Sequence, residues 1–335
     1  MKKIVLVLGI AALLFAAFNP TSVSAQSNAA SYYVRANGND SNNGTTEATP
    51  FKTLAKAITE ASRTNVKKIT VIGKLDGETI IKDSGTAEIL ITGKANASNS
   101  EKAVLTTSTE TNTIQITGNS NIKLEYLTLN TGSNMAIIFA NGNNVKLTLG
   151  RNSVVSGNGK DVEIFANYGG GILMVKGTLI MLDNATVTNC KAHRGGGIAI
   201  PENVKMIMQD NAVISNNYAN IAGGGVYVGD NATLELHNNA VIKGNTAYQD
   251  SFESGGAGIY AFGGTIKLQD NSNVIGNTAP HGGGITMRMS SMQTADGVKI
   301  ESSGVYESRQ VSGNTATTKD PFFKEMPHNI YVMNH

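Results

Sequence analysis

Four basic side chains beside short glycine runs are the first candidates for chemistry. His193 and Arg194 precede one run, His281 precedes another, and Arg288 follows that second run. Imidazole and guanidinium groups can move protons or hold anions, so four of them on one edge could form a catalytic or anion-binding site. The simpler interpretation is a set of solvated surface charges, which contribute little. Both interpretations require the glycine runs to lie on the same side of the fold.

Carboxylates give a second set of candidates. Asp183 and Asp210 occupy the same position in neighbouring copies of a repeat, so stacked copies would place them about 5 Å apart. Two carboxylates at that distance favour a Ca²⁺ ion, but Asp followed by Asn is also typical of a hydrogen-bonded turn. Asp40, in a loop rich in Asn and Gly, has the same two interpretations. No other cofactor is indicated, and the sequence shows no hydrolase pattern of paired acids.

Aromatic residues give a third set. Tyr227 and Tyr260 each follow the end of a glycine run, and alternation along a strand would point both outward on neighbouring coils. Stacked exposed rings can bind sugars or a partner's aromatic side chains, although tyrosine is also an ordinary strand former. An insertion at residues 248–254 adds further candidate ligand-binding side chains, namely Tyr248, Asp250, Phe252 and Glu253. Insertions in repeat proteins often gather on the binding face.

The elements that position these residues are five glycine runs, each followed by a β-branched residue. The β-branched residues that follow the runs are Ile172, Ile198, Val226, Ile259 and Ile285. The steps between these positions are 26, 28, 33 and 26 residues. Periods of this length indicate a solenoid or another repeat array. They are shorter than the roughly 40 to 45 residues that a propeller blade needs.

The copies of the repeat share further positions besides the glycine run. One copy has an apolar-x-apolar strand at Leu234–Leu236, a polar pair at Asn238–Asn239, and an apolar-x-x-Asn element at Ile242–Asn245. Period-two alternation predicts half-buried strands, roughly three in each coil. The sequence therefore predicts an all-β fold, a single-stranded right-handed parallel β-helix with an inward column of asparagines. Cys190 takes the asparagine position in one copy, which favours a buried structural thiol over a reactive one.

Two resemblances follow from these motifs. The glycine run paired with aliphatic-x-x-Asn, and Gly-Asn-Thr-Ala at residues 244–247 and 276–279, resemble the repeats of chlamydial polymorphic outer-membrane proteins, although Val or Ile replaces their Phe. This resemblance implies surface exposure and adhesion. The opening at residues 32–44 is similar to that of secreted β-helix proteins of the pectate-lyase-like superfamily. That similarity implies the same fold, and it leaves a carbohydrate-active enzyme as an alternative function.

The N-terminal part of the chain is predicted to contain a secretory leader followed by a cap on the folded domain. Residues 1–25 have the basic start, apolar run and small-residue cleavage site of a secretory signal peptide, with cleavage after Ala25. Residues 26–335 are predicted to form one domain. Within it, residues 32–63 form an N-terminal cap, with Thr49 as the N-cap of a short helix, Pro50 at its first position and an end near Arg63.

The remaining residues of the domain divide at residue 142. Residues 64–141 are predicted to form degenerate coils, and residues 142–335 form the glycine and asparagine repeat coils. Strands in the degenerate coils are expected at residues 68–72, 88–92, 103–106, 113–117, 122–129 and 136–139.

Charge and composition limit the partners. The formal net charge of +2 falls to zero once the two lysines of the leader are removed, and no basic block remains for nucleic acid. No transmembrane segment is predicted, and we expect a monomer. We expect a secreted, cell-surface or periplasmic protein that binds a glycan or a surface protein without catalysis. The alternative is a Ca²⁺-dependent polysaccharide lyase.

Overall fold

The chain winds into short coils whose strands pair with the equivalent strands of neighbouring coils. The computed structural model describes residues 31–157, 167–249, 254–293, 299–300, 304–306, 310–316 and 329–333. In these ranges every pairing between strands is parallel except two near the C-terminal end. The predicted all-β parallel β-helix is confirmed.

Four sheets run along the helix axis, and a chain passing round a repeat coil visits them in the order 1, 2, 3 and 4. Sheet 1 contains Ser31–Val34, Lys68–Val71, Gly85–Thr92, Ser120–Glu125, Lys146–Leu149, Thr178–Met181, Lys205–Met208, Thr233–Leu236, Thr265–Leu268, Ser291–Gln293 and Lys299–Ile300. Sheet 2 contains Lys74–Asp76, Ala103–Thr106, Leu127–Leu129, Val154–Ser156, Thr186–Thr188, Val213–Ser215, Val241–Lys243, Asn273–Ile275 and Val311–Ser312.

Sheets 3 and 4 flank the glycine runs of the repeat coils. Sheet 3 contains Lys191–Arg194, Tyr218–Ala222, Thr246–Ala247, Thr278–Ala279 and Thr315–Ala316. Sheet 4 contains Thr79–Lys82, Ile114–Thr117, Ile138–Asn141, Ile172–Met174, Ile198–Glu202, Val226–Asp230, Ile259–Phe262, Ile285–Arg288, Ile330–Met333 and Gly304–Tyr306. The two antiparallel pairings join Lys299–Ile300 to sheet 1 and Gly304–Tyr306 to sheet 4.

The core consists of apolar ladders that run along the helix. In sheet 1, Leu179, Met206, Leu234 and Ile266 are in register on successive coils, and all four are fully buried. The residues between them point outward, because alternate side chains of a strand face opposite sides. Each buried side chain of this kind contributes roughly 1.5–3 kcal/mol. A coil obtains this burial only from its neighbours, so stacking closes the core.

The predicted column of buried asparagines is present and is bonded from rung to rung. The backbone N–H and the Nδ2 of Asn217 both donate to Oδ1 of Asn245, at 2.9 and 3.0 Å. Asn245 donates in the same way to Asn277, and Asn277 to Asn314. Cys190 ends the series, since its N–H donates to Oδ1 of Asn217. Each amide therefore satisfies buried backbone and side-chain donors of the preceding coil.

The glycine runs combine two backbone requirements. Gly223, the first of its run, has a φ of +67°, which side chains other than glycine rarely adopt. Gly224 has an ordinary φ, but a Cβ there would lie 2.5 Å from the carbonyl oxygen of Thr246 on the next coil. The runs thus allow both a left-handed turn and the close approach of neighbouring coils.

The N-terminal helix covers the open end of the core, as predicted, but it begins later than the sequence suggested. The helix spans Leu54–Arg63, and its N-cap is Thr53, whose Oγ1 accepts a hydrogen bond from the N–H of Lys56. The prediction of Thr49 as the N-cap and Pro50 as the first helical residue was wrong. The buried face consists of Leu54, Ala57, Ile58 and Ala61.

The late start of the helix has a local cause. Phe51 forms an isolated parallel bridge with Val34. Its N–H donates to the carbonyl of Tyr33, and its carbonyl accepts from the N–H of Arg35. A residue in such a bridge is extended, so the first turn of the helix follows it.

The early coils follow the predicted strands with two differences. The strand expected at residues 122–129 is divided at Tyr126, whose φ is +52°, and its two parts belong to sheets 1 and 2. Two strands, Lys74–Asp76 and Thr79–Lys82, were not predicted. The first has three residues with one apolar side chain, and the second has two adjacent isoleucines, so neither shows a clear alternation.

Sheet 3 was also missed, since three strands per coil were expected and the repeat coils have four. Its strands are as short as two residues, for example Thr246–Ala247 and Thr278–Ala279. Two residues are too few to show a period. The sheet matters for function because it forms one side of the groove described next.

Candidate functional site

A groove of about 370 Å³ lies on the outside of the helix where sheet 3 meets sheet 4. It is lined by Tyr168, Arg194, Tyr227, Tyr260, Phe262 and Arg288. A larger groove of about 480 Å³, beside the N-terminal helix, has no aromatic ring among its lining residues. The concentration of aromatic and guanidinium groups makes the groove between sheets 3 and 4 the candidate site.

Two tyrosines form the centre of the groove. Val226 and Ile259 point into the core, so the residues that follow them, Tyr227 and Tyr260, point outward and are in register. Their rings stack with centroids 5.8 Å apart and planes 10° apart. The sequence correctly predicted that these two side chains are neighbours on adjacent coils.

The prediction that both tyrosine rings are exposed was wrong. Tyr260 is only 4% exposed, and Tyr227 is half-buried. Ala222 packs against Tyr260, and Phe262 and Tyr331 add to the same outer cluster. An outward side chain is buried here because Ile221 and Ala222, at the end of a sheet 3 strand, pack against it. The tyrosines therefore form the walls and floor of a groove and not an open platform.

The first end of the groove is formed by Tyr168 and Arg194. Tyr168 directly precedes one glycine run and Arg194 the next, and their backbones form a parallel bridge. The guanidinium of Arg194 lies over the Tyr168 ring, 5.8 Å from its centroid. The Tyr168 ring in turn meets Tyr227 edge to face, at 5.4 Å and 66°.

The opposite end is formed by Phe262 and Arg288, which are in register on neighbouring coils of sheet 4. The guanidinium of Arg288 lies 5.6 Å from the centroid of the Phe262 ring. Cation–aromatic contacts of this kind stabilise the position of an arginine by about 0.5–1 kcal/mol at exposed sites and more when desolvated. Both arginines are half-buried. The groove thus carries one ring-supported guanidinium at each end.

The environment changes the acidity of the central tyrosine. Burial raises the pKa of Tyr227 to about 12, the neighbouring hydroxyls of Tyr168 and Tyr260 act in the same direction, and Arg194 opposes them. Burial also raises the pKa of Tyr331 in the same outer cluster. The Tyr227 hydroxyl is therefore neutral at physiological pH and can both donate and accept a hydrogen bond.

The four basic candidates do not converge. Arg194 and Arg288 line the groove, but the two histidines lie elsewhere. The His193 ring is next to the amide of Asn220, with Nδ1 3.5 Å from Nδ2. His281 is buried, and its ring centroid is 6.5 Å from that of Tyr331. No basic edge of four side chains is formed.

Of the four candidate side chains in the insertion, one is described. Tyr248 is 45% exposed and stacks on Tyr218, with ring centroids 6.2 Å apart and planes 9° apart. This pair lies on sheet 3, outside the groove. Asp250, Phe252 and Glu253 fall outside the described residues, so their predicted role in ligand binding stays a prediction.

Two of the three acidic candidates, Asp210 and Asp40, act as backbone caps, and the carboxylate of Asp183 lies 3.9 Å from the guanidinium of Arg151. Oδ2 of Asp210 accepts a hydrogen bond from the N–H of Asp183 on the preceding coil, at 3.1 Å. The carboxylate of Asp40 accepts from the N–H groups of Lys52 and Thr53 and from the Thr53 hydroxyl. Burial raises the pKa of Asp40, but these hydrogen bonds lower it more, so the net pKa is below its ordinary value.

Metal binding at these acids stays a prediction. Within the described ranges, no group of three or more His, Cys, Asp and Glu side chains is placed to hold a metal ion. The same ranges contain no helix with the length and hydrophobicity that a membrane crossing requires.

Residues 112–300, more than half of the chain, match the model of the right-handed β-helix region family. The chain belongs to this family. The match spans all five glycine runs and every residue of the groove, so the β-helix family is the framework on which the site is built. Searches of curated proteins and of solved structures gave no significant match.

Two groove residues were missed by the sequence analysis, and each had a signal. Tyr168 occupies the position that Arg194 occupies in the next copy, directly before a glycine run. Phe262 lies two residues after Tyr260, so the same alternation that placed Tyr260 outward also placed Phe262 outward. Neither signal showed that sheet 3 would bring the two ends of the groove together.

Proposed function

We propose that this β-helix protein binds a saccharide in the groove between sheets 3 and 4 and does not transform it. The observation that carries the proposal is the stack of Tyr227 on Tyr260 within a groove flanked by arginines. Aromatic faces and edges pack against the apolar faces of sugar rings, and tyrosine hydroxyls add hydrogen bonds. The rings are held by neighbouring coils, so little conformational entropy is lost when a ligand binds.

The groove chemistry favours binding over hydrolysis. Glycoside hydrolysis uses a pair of carboxylates on either side of the scissile bond. Among the described residues, the six that line the groove include no carboxylate. The alternative of a Ca²⁺-dependent polysaccharide lyase stays a prediction, which is tested by the ultraviolet absorbance of an unsaturated product after incubation with uronate polymers and Ca²⁺.

Export of the protein is part of the same proposal. The predicted leader, residues 1–25, lies outside the described residues, and a secreted or cell-surface location stays a prediction. Such a location would give the groove access to extracellular glycans. Adhesion to a surface is one use of this binding.

Binding is tested with a glycan array followed by calorimetry on the strongest ligand. Tyr227→Ala and Phe262→Ala remove groove side chains that are half-buried and not fully enclosed. We expect each variant to weaken binding by about tenfold or more, because one stacked aromatic contact contributes on the order of 1 kcal/mol beyond the area it buries. Tyr260→Ala is less suitable, since that ring is buried and its loss would also destabilise the fold.

One matched variant serves as a control, and a second tests the insertion. Tyr33→Ala removes a half-buried tyrosine of the first strand, far from the groove, and should leave binding unchanged. Tyr248→Ala reports on whether the insertion side also contacts the ligand. The proposal is overturned if no glycan binds, or if Tyr227→Ala and Phe262→Ala bind as the wild type does while their circular dichroism shows an intact fold.

A further inference from the structure

A second pair of stacked tyrosines lies outside the groove. Tyr218 begins the sheet 3 strand Tyr218–Ala222, and Tyr248 lies one coil further along the chain, directly after the strand Thr246–Ala247. Their rings are nearly parallel, with centroids 6.2 Å apart and planes 9° apart. Neither side chain lines the groove, so the proposed saccharide binding gives this pair no role.

The backbone holds the two tyrosines beside one another. Tyr218 is in register with Thr246 on the next coil, and its N–H donates to the carbonyl of Cys190 on the preceding coil, at 2.9 Å. The N–H of Tyr248 donates to the carbonyl of Ala219, at 3.1 Å. Because both backbones are bonded, the distance between the rings changes mainly by rotation of the side chains. Two groups held together in this way react with each other in preference to distant groups.

Exposure distinguishes this pair from the tyrosines of the groove. Tyr248 is 45% exposed and Tyr218 is half-buried, whereas Tyr260 is only 4% exposed. Every other tyrosine whose side chain is described is half-buried or buried. Burial also raises the pKa of Tyr227 to about 12, which opposes the loss of its phenolic proton. A reagent from solvent therefore reaches the pair of Tyr218 and Tyr248 more readily than the pair in the groove.

The chemistry open to two neighbouring phenols is oxidative coupling. A one-electron oxidant removes one electron and one proton from each phenol, which leaves two phenoxyl radicals. A carbon–carbon bond then forms between the ring carbons next to the two hydroxyl positions. The hydrogens on those carbons move as protons to the two oxygens, which restores both phenols. Hydrogen peroxide accepts the two electrons and two protons and becomes two molecules of water.

We propose that Tyr218 and Tyr248 form a site of oxidative cross-linking, at which hydrogen peroxide and a haem peroxidase join the two phenols into one dityrosine. The product links two adjacent coils covalently where the insertion of residues 248–254 begins. A bond that closes a loop of the chain stabilises a fold mainly by restricting the unfolded state. The reaction therefore converts a noncovalent contact between coils into a permanent one, and it does not depend on what the groove binds.

The test treats the full, folded chain with a haem peroxidase and a limited amount of hydrogen peroxide. Trypsin cleaves after Lys243, between the two tyrosines, so the product is a pair of joined peptides that lacks the mass of two hydrogen atoms. We expect this pair in mass spectra, together with dityrosine fluorescence. Its yield should not depend on protein concentration, because the coupling is intramolecular. The treated protein should unfold at a higher denaturant concentration than the untreated protein.

Conservative variants show which rings react. Tyr218→Phe and Tyr248→Phe keep the aromatic ring and lack the hydroxyl, so we expect each to fold as the wild type does and to lose the cross-link completely. The same treatment should leave the unfolding midpoint of Tyr248→Phe unchanged, which excludes other oxidation as the cause of the shift. Tyr33→Phe, at a half-buried tyrosine of the first strand, is the matched control and should form the cross-link in full yield.

Several results would overturn the inference. One is a treated protein that keeps its circular dichroism but contains no peptide pair with Tyr218 and Tyr248. Another is coupling only between separate chains, or coupling of Tyr227 to Tyr260 in place of the exposed pair. An equal yield of the same cross-link from the chain unfolded in urea would also overturn it, since the folded geometry would then contribute nothing.

Discussion

The ring of Tyr227 stacks on the ring of Tyr260 from the next coil, with centroids 5.8 Å apart and planes only 10° from parallel. The backbone register of two β-helix rungs sets this geometry, since the two residues are direct partners in sheet 4. Their burial is set by a different element, the short strands of sheet 3. The following predictions test the ladders and turns on which this relationship depends.

Tyr227 should ionise far above the ordinary tyrosine value of 10.0, since burial raises its pKa to about 12. The fold favours the neutral phenol, so its contribution to stability is complete below pH 10 and is lost as the pH rises from 10 toward 12. The measurement is a tyrosinate absorbance titration of wild type and Tyr227→Phe. Their difference should show a transition near pH 12, and a transition centred near pH 10 would contradict the burial of this side chain.

Removing one rung of the asparagine column should destabilise the fold strongly. Asn245→Ala leaves two buried donors of Asn217, the backbone N–H and Nδ2, without their acceptor. We expect a loss of about 3 kcal/mol in the free energy of unfolding, measured by denaturant titration. Asn239→Ala, at an exposed asparagine of the same repeat, should change it by about 0.5 kcal/mol or less. Similar losses for both variants would refute the ladder.

Gly→Ala substitutions at turns should lower the free energy of unfolding for two separable reasons, the left-handed backbone and the contacts of the added Cβ. Gly223→Ala places a side chain at a φ of +67° and puts its Cβ 2.5 Å from the carbonyl oxygen of Val226. Gly276→Ala has nearly the same φ, +64°, but its Cβ meets nothing within 4 Å. We expect a loss of about 1–2 kcal/mol for Gly276→Ala from the left-handed backbone alone, and a clearly larger loss for Gly223→Ala. Equal losses would show that the contact of this Cβ with Val226, within the same turn, contributes little.

Cys190 should be unreactive in the native protein. Its side chain is 1% exposed, and burial raises its pKa to about 12, so almost no thiolate is present at neutral pH. Iodoacetamide should modify it only after unfolding in urea, as measured by mass spectrometry. Native labelling at the rate of the unfolded chain would mean that the thiol is accessible and not part of the inward column.

Addition or removal of Ca²⁺ should not change the melting temperature. The carboxylate of Asp210 caps the N–H of Asp183, and the carboxylate of Asp183 lies 3.9 Å from the guanidinium of Arg151, so each acid has a partner without a metal. The measurement compares thermal unfolding in Ca²⁺ with unfolding in EDTA. A higher melting temperature in Ca²⁺ that is lost in Asp210→Asn would support the predicted metal site, because the asparagine keeps a capping oxygen but loses the charge.

Several features of the fold could be predicted from the sequence because the motifs that determine them repeat. The glycine runs, the apolar alternation and the asparagine spacing each recur at a regular step, and recurrence predicts the parallel stack, its register and the adjacency of Tyr227 to Tyr260. The N-terminal helix was predicted from its apolar face. Its start was not, because the bridge between Phe51 and Val34 joins segments whose pairing has no local signal.

The sequence by itself determined the repeat, the direction of each side chain relative to the core, and the partners of each rung, because strand periodicity and coil length depend only on local order. Only the tertiary structure decided which outward residues are covered. Tyr260 is buried, Arg194 and Arg288 share a groove, and His193 and His281 do not join them. The physical reason is that Ile221 and Ala222 of sheet 3 pack against Tyr260 of sheet 4 on the next coil, and such a contact has no counterpart in the period of any single strand.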